Sequence, residues 1–315
     1  MQRMVVDKNM LEDPQGLGDR HPLRAWLAAS KDHVAIITDY AQLEMLKGNA
    51  LKNILKSTEI VAEFPKQVHI LKPISAVSAL KGKRKALKKR ATSGGGTRSF
   101  RRWHDQRSRA VAGDQKSAES LVRAGQAASM QLADMLENMK GFADNIEDAT
   151  AQFTDEELDI LRRREPHTDE MILKIFDGTI ELAEKFYLLH PDITKLPEAH
   201  EIPYTFLFRF ALCVYLHALH WRVQGGARDR LPERMRNDVI DVSYAAYGLC
   251  FDGVLSEDKL VREIYDNGRA MLELFTKHAP KPPRRRAKPV AKPAGGKSRA
   301  NVRGSSVDSK KGMAG

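Results

Sequence analysis

Cysteine is scarce in this sequence: Cys213 and Cys250 are the only two among 315 residues. Both stand inside apolar stretches, so a disulfide framework or a zinc site built from cysteines is excluded, and we interpret both as core residues. A chain of this length can bury a sizeable core without disulfide support. It also exceeds the commonest domain size, which predicts one large domain with an insertion, or two domains.

Long apolar runs are also missing. The longest, residues 204–221, is interrupted by Arg209, His217 and His220, and it falls short of the roughly 20 apolar residues that a bilayer span requires. The opening MQRMVVDKNMLEDPQ places acids and a lysine where a secretory signal needs an unbroken apolar core. We therefore expect no membrane contact and a cytoplasmic location.

The charge is unevenly distributed along the chain. The net charge is +11 overall, but residues 81–109 alone carry twelve Lys and Arg against Asp105, and residues 280–315 carry eleven against Asp308. These two segments contribute +11 and +10, so the remainder of the chain carries −10. An acidic body with two concentrated basic segments indicates a polyanionic partner, and nucleic acid is our expectation.

The first eighty residues alternate between short apolar runs and amphipathic stretches, which predicts a parallel sheet with crossover helices. We predict strands over residues 4–7, 33–38 and 68–71, and helices over residues 22–31, 40–46 and 50–56. Residues 81–114 differ in composition, with a Gly triplet, few apolar residues and many like charges. They are predicted to form a flexible loop.

Residues 115–229 are predicted to be a helical insertion. Small or apolar residues recur at spacings of three and four from Leu121 to Ile146, which predicts a helix over residues 117–146 with one narrow apolar seam. That seam fits a neighbouring helix of the same chain better than a dimeric coiled coil. Thr154 and Glu157 form a capping-box pattern, and helices over residues 169–189 and 204–222 complete the segment. The predicted buried face of the helix over residues 169–189 consists of Ile172, Ile175, Leu182, Phe186 and Leu189.

The α/β alternation returns in residues 230–279. We predict a helix over residues 238–249, a short strand over 253–255 and a helix over 257–275. Residues 280–315 contain Pro, Lys, Arg, Gly and Ser without apolar periodicity, so they are predicted to be a disordered basic tail.

Four acids stand where a predicted strand meets a helix: Asp7, Glu44, Asp241 and Asp258. Ligands of open α/β folds bind at the C-terminal edge of the parallel sheet. If these acids converge there, they form a set of hard oxygen ligands suited to Mg²⁺ or Mn²⁺. Without a cation the carboxylates would repel one another, and some would remain protonated.

A purely structural role is the alternative for each of these residues. An Asp near a helix start is ordinarily a cap or a partner of the helix dipole, which covers Asp238, Asp241 and Asp258. Glu44 could be an exposed helix acid.

Four other polar residues are assigned structural roles. Asp39 and Asp252 are interpreted mainly as turn and capping residues. His217 and His220 stand one helical turn apart and could ligate a metal, but histidines of a core or an interface are the commoner case.

The motifs that contain the four acids resemble those of a known nuclease family. The order VVDKNML, HVAIITDYAQLEMLKG, and NDVIDVSYAAYG followed by VLSEDK resembles the PIN domain, found in many toxin–antitoxin ribonucleases and RNA-processing enzymes. In that family a strand-end Asp, a helical Glu, an Asp that opens a helix and an Asp after the last short strand form the metal site. The resemblance covers about residues 1–80 and 230–275.

The resemblance implies an α/β fold with a PIN-like three-layer parallel sheet core, interrupted by a large α-helical insertion. It implies that Asp7, Glu44, Asp241 and Asp258 are catalytic and bind Mg²⁺ or Mn²⁺, with Asp238 as an additional or alternative ligand. The implied activity is hydrolysis of phosphodiester bonds by a metal-dependent ribonuclease.

Basic residues are the candidate nucleic-acid contacts, because phosphate neutralisation is independent of sequence. In addition, Phe100 and Trp103 could stack on unpaired bases. The candidates are Lys83, Arg84, Lys85, Lys88, Lys89, Arg90, Arg101, Arg102 and Trp103.

Two other function classes stay open. One is a non-catalytic nucleic-acid-binding adaptor with a degenerate PIN-like fold, whose helical insertion binds a protein partner. The other is a protein interaction module whose basic tail only aids solubility. Loss of the acids or of divalent metal would disable the nuclease and leave either alternative intact. The sequence makes no prediction of oligomeric state.

Overall fold

The computed structural model describes residues 1–48, 55–82, 87–94, 96–138, 148–226 and 231–278. These residues belong to one compact unit spanning Met1–Pro280. Within them, four parallel strands form a sheet in the order β3-β2-β1-β4. The strands are β1 (Gln2–Val6), β2 (His33–Ile37), β3 (Val68–Ile70) and β4 (Val254–Leu255).

Helices make up most of the described chain. The first five are α1 (Pro22–Ala29), α2 (Asp39–Leu46), α3 (Glu59–Glu63), α4 (Ile74–Ser78) and α5 (Leu87–Ala91). The others are α6 (Thr97–Val111), α7 (Gln115–Asn138), α8 (Asp155–Arg163), α9 (Asp169–Leu189), α10 (Phe206–Val223), α11 (Pro232–Cys250) and α12 (Lys259–His278).

The sheet joins the two ends of the described chain. Strand β1 pairs with β2 on one side and with β4 on the other, so Val5 lies opposite both Ile36 and Val254. Val5 and Ile36 have no solvent exposure, as expected of parallel strands that are covered on both faces. Since all the strands point the same way, the residues that follow β1, β2 and β4 meet at one edge of the sheet.

Most predicted elements of the α/β part are confirmed, with shifts of a few residues at their ends. The helix over residues 169–189 has the predicted bounds, and Thr154 with Glu157 forms the predicted capping box at the start of α8. In α7 the seam residues Leu121, Ala128 and Leu132 are buried. The α/β class with a parallel sheet is therefore confirmed.

The predicted inner face of α9 is partly wrong. Leu189, which was predicted to be buried, is 81% exposed at the end of the helix. The buried stripe contains the predicted Ile175 together with Met171, Ala183 and Tyr187, whereas Ile172, Leu182 and Phe186 are half-buried. Small and amphipathic side chains thus occupy positions that the pattern of large aliphatic residues did not reveal.

The flexible loop predicted for residues 81–114 is wrong for residues 87–91 and 97–111, which form α5 and α6. In α6 the side chains of Phe100 and Ala110 are buried and Trp103 packs against the core. These positions repeat at helical spacing, so the arginines stand around an apolar stripe. The high density of charge concealed that stripe.

Several predictions fall outside the described residues: most of the helix over residues 50–56, the end of the helix over 117–146, and the disordered tail over 280–315. Where the structure describes the chain, no helix is both long and apolar enough to cross a membrane.

Candidate functional site

The ends of β1 and β4 are joined by a short chain of hydrogen bonds. Asp7 directly follows β1, and its backbone N–H donates to the carbonyl oxygen of Leu255 at 3.0 Å. Ser256, the residue after β4, donates its hydroxyl to Asp7 Oδ2 at 2.6 Å. The Ser256 Oγ atom also accepts from the backbone N–H of Asp258 at 3.0 Å. Asp7 and Asp258 are therefore brought together from opposite ends of the chain.

Helices α2 and α11 supply the other acids. Glu44 lies on α2 and accepts a 2.9 Å hydrogen bond at Oε2 from the hydroxyl of Tyr244 on α11. Burial, and then the neighbouring Glu44, raise the pKa of the Tyr244 hydroxyl, so it remains a donor. Asp241 precedes Tyr244 by three residues and so lies on the same side of α11.

The carboxylates are buried and close enough to affect one another's pKa values. Burial raises the pKa of Asp241 from 3.8 to about 8, with further contributions from the charges of Asp7, Asp258, Glu44 and Asp238. Burial also raises the pKa values of Asp7 and Glu44. A pocket in which like charges raise one another's pKa favours either a proton or a cation. We name Asp7, Glu44, Asp241 and Asp258 the acidic site.

A capping role is excluded for Asp241 by its position. The predicted helix start near Asp238 is wrong, because α11 begins at Pro232, and proline suits the first turn of a helix. Asp241 therefore lies in the third turn, where the backbone N–H groups are already bonded within the helix. The resemblance to an Asp that opens a helix does not hold at this position.

Asp238 lies one turn before Asp241 and is tied to a different helix. Its Oδ2 accepts a 2.9 Å hydrogen bond from Trp221 Nε1 of α10. The same oxygen lies 3.3 Å from Nε2 of the buried His217. These contacts give Asp238 a structural role that the other acids of α11 do not share.

Two members of the acidic site also serve as caps, Asp258 and Asp7, and the structural alternative predicted this for Asp258. Asp258 Oδ1 accepts from the backbone N–H groups of Leu260 at 2.6 Å and Val261 at 3.2 Å, at the start of α12. Asp7 Oδ1 accepts from the backbone N–H of Asn9 at 3.3 Å. Each keeps a second carboxylate oxygen, and that of Asp7 is bonded to Ser256.

The residue types of the acidic site suit a hard cation, but their side chains do not converge on one point. Among the described residues, no three side chains of His, Cys, Asp or Glu converge closely enough to hold a metal ion. Carboxylate oxygens are nevertheless the ligands that Mg²⁺ and Mn²⁺ prefer. Binding would therefore require at least one carboxylate, such as that of Asp7 or Glu44, to turn from its present hydrogen bond.

Sequence reasoning missed Ser256 and Tyr244, which orient two of the acids. A hydroxyl in VLSEDK directly after a strand, and a tyrosine one turn after Asp241, were the available signals. Asp39, assigned to turns and caps, is also part of a buried network. It accepts from the backbone N–H of Ile74 at 2.6 Å and from the Tyr247 hydroxyl at 3.2 Å, and burial raises its pKa.

The candidate nucleic-acid residues differ in how available they are. Lys83, Arg84 and Lys85 lie outside the described residues. On α5, Lys88 pairs with Asp252, Arg90 bonds to a backbone carbonyl, and Lys89 is exposed.

Helix α6 has an exposed face that is mainly basic. Arg98, Arg101, Arg102 and Arg109 are exposed on it at spacings of three, one and seven residues, with Asp105 between them. Those spacings place them on one side of a helix. Trp103 is half-buried against the core, and Phe100 has no exposure, so neither ring is available as an open stacking platform. We name these four arginines the α6 basic face.

Comparison with known proteins gives no relative for this chain: no family model, no curated protein and no solved structure matches it.

Proposed function

We propose that this protein is a metal-dependent nuclease that hydrolyses phosphodiester bonds, with RNA as the expected substrate. The observations that support the proposal most strongly are the hydrogen bonds that join Ser256 to both Asp7 and Asp258, and the bond from Tyr244, one turn after Asp241, to Glu44. Acids from both ends of the chain thus share one edge of a parallel sheet. The resemblance of the surrounding motifs to the PIN domain supplies the reaction class.

In this proposal Asp7, Glu44, Asp241 and Asp258 bind Mg²⁺ or Mn²⁺, with Asp238 as an additional or alternative ligand. A bound divalent ion supplies a charge that activates water for in-line attack and stabilises the leaving oxygen. In the metal-free site the hydroxyls of Ser256 and Tyr244 orient the Asp7 and Glu44 carboxylates, and at least one of these carboxylates turns toward the ion on binding.

The basic residues overcome the repulsion between an acidic body and a polyanion. The α6 basic face supplies phosphate contacts that do not depend on base identity. Recognition on this face would rest on charge, because its aromatic neighbours are packed inward.

Cleavage of a labelled single-stranded RNA in Mg²⁺ or Mn²⁺ tests the proposal. We expect turnover that EDTA removes and that falls at least about a hundredfold in Asp241→Asn, since a lost ligand of the acidic site weakens the metal. Asp134→Asn, an exposed acid on α7, is the matched control and should cleave at the wild-type rate. Wild-type turnover in a folded Asp241→Asn variant would contradict the proposal.

A non-catalytic nucleic-acid adaptor is the second candidate, because the hydrogen bonds of Asp7 and Asp258 already satisfy capping roles. An adaptor would bind RNA equally well in EDTA and would tolerate Asp241→Asn. Binding without any cleavage in Mg²⁺ or Mn²⁺ would favour it, with a protein partner on the helical segment.

A further inference from the structure

A groove lies between α10 and α12, closed on its third side by the segment that links α8 to α9. Its volume is about 710 Å³, within the range of sites that bind small organic molecules. Its floor is apolar and consists of Leu161, Leu216, Leu219, Val223, Leu260 and Ile264. We name it the α10–α12 groove.

The groove begins beside the acidic site. Lys259, which lines it, directly follows Asp258 in the chain. On the other wall, His220 precedes Trp221, whose indole nitrogen donates to Asp238. From Lys259 to Asn267 the groove follows α12 for about 12 Å, since a helix rises 1.5 Å per residue.

Two basic residues at the mouth of the groove, Lys259 and Arg262, can contact a ligand. Of the three acids that line the groove, Glu263 pairs with Arg164 at 3.0 Å and Glu165 pairs with Arg163 at 3.4 Å, and the third, Asp266, lies one turn beyond Arg262 and farther from Lys259 along α12. Within the described part of the chain, no ion pair is recorded for Lys259 or Arg262. Arg262 donates one hydrogen bond from Nη2 to the backbone carbonyl of Glu257 at 3.3 Å. Its remaining N–H groups and the ammonium group of Lys259 offer two positive charges to an anion at the end of the groove nearest the acidic site.

We propose that the α10–α12 groove binds one nucleoside monophosphate unit of a single-stranded nucleic acid, next to the phosphodiester that lies at the acidic site. Lys259 and Arg262 contact its phosphate, and the apolar floor contacts its base and ribose. The choice of ligand class rests on the proposed nuclease function. A base inserted between two helices must be unpaired, so the groove selects single strands over duplexes.

Titration with uridine 5′-monophosphate, followed by calorimetry in EDTA, tests the groove without metal or turnover. We expect saturable binding to one site, weakened about tenfold by Arg262→Gln because a charge-assisted contact to phosphate is lost. Uridine, which lacks the phosphate, should also bind about tenfold more weakly. Arg269→Gln, on the same helix but paired with Glu273 outside the groove, is the matched control and should bind as wild type.

A second variant blocks the groove from its exposed rim. Asn267→Trp should abolish binding of uridine 5′-monophosphate without disturbing the buried floor, which a thermal melt would verify. Absence of saturable binding to the wild type, or unchanged binding in both Arg262→Gln and Asn267→Trp, would overturn the inference.

The same variants separate this inference from the proposed function. If the wild type binds the monophosphate but cleaves no RNA, the nuclease proposal fails and the groove remains. If the wild type cleaves RNA, and Asn267→Trp cleaves a single strand at the wild-type rate, the groove inference fails and the nuclease remains.

Discussion

Asp241 is the residue whose ionisation should dominate the pH dependence of the metal-free protein. Its carboxyl titrates near 3.8 in the unfolded chain and at about 8 in the folded one. Between those values the folded state holds a proton that the unfolded state releases, so the contribution of this group to the free energy of unfolding falls as pH rises.

In EDTA, we expect Asp241→Asn to remove that decline. The variant should be more stable than the wild type at about pH 8, by on the order of 1 to 3 kcal/mol after allowance for solvent screening. Near pH 4 the difference should be small. Denaturant melts at several pH values measure this difference in the free energy of unfolding. Parallel pH profiles for the two proteins would show that the pKa of Asp241 is not raised by folding.

Arg107 is a second residue with an unusual environment. It is 2% exposed, its guanidinium lies over the ring of Trp103, and burial lowers its pKa. Among the described residues, none of its side-chain nitrogens has a hydrogen-bond partner. A buried charge in this state costs stability, and a hydrophobic residue of similar volume often improves it.

We therefore expect Arg107→Met to raise the free energy of unfolding by on the order of 1 to 3 kcal/mol, and with it the melting temperature. Trp103→Ala is the comparison, because it removes packed area and should destabilise. Thermal melts of both variants check this. Destabilisation by Arg107→Met would mean that the guanidinium stabilises the fold through an anionic partner.

At the scale of elements, α6 is the one whose role is most directly testable. Changing Arg98, Arg101 and Arg102 to Gln should weaken RNA binding and reduce the magnitude of the slope of log affinity against log salt by about two to three. Each phosphate contact that is lost reduces the number of counterions released on binding. Arg20, Lys31 and Lys66, exposed elsewhere, changed together to Gln, form the matched control. Fluorescence anisotropy across a salt series measures both. An unchanged slope in the α6 variant would exclude this face from binding.

The elements that sequence patterns predicted well are those whose burial follows a simple period. Strand β2 is a run of aliphatic residues, and α9 has a threonine cap and a long amphipathic repeat, so both were placed within a residue or two. The prediction for α6 failed because its apolar stripe is narrow and contains the buried Arg107. Helix α11 was begun too late, because Pro232 was not recognised as a first-turn proline.

The site was less predictable than the fold, because it depends on distant pairings. The strand-end position of Asp7 follows from local pattern alone. The hydrogen bond from Ser256 to Asp7 cannot be predicted from local pattern, because only the pairing of β1 with β4 brings these two distant residues together. Likewise, Tyr244 orients Glu44, and the position of Tyr244 depends on how α11 packs in the core as a whole.

At the scale of the whole molecule, residues 1–280 and residues 281–315 are expected to contribute differently to stability. The fold lies within residues 1–280, whereas residues 281–315 carry a net charge of +10 and no apolar periodicity. Truncation after Pro280 should leave the melting temperature nearly unchanged, because the sequence of the tail lacks the apolar periodicity that could offset the entropy of ordering. Scanning calorimetry of the two forms checks this, and a large fall in melting temperature would show that the tail contributes to the fold.

The central claim is that acids from both ends of the chain form one cation site, and thermal stability in EDTA against Mn²⁺ tests it most directly. The wild type should gain about 2.7 kcal/mol at a metal concentration of about 100 times Kd, because the ion binds only the folded state. Asp7→Asn and Asp241→Asn should each fold in EDTA and lose that gain, while Asp134→Asn keeps it. If the wild type gains no stability from Mn²⁺, or if both Asn variants gain as much as the wild type, the acidic site does not bind metal and the account is contradicted.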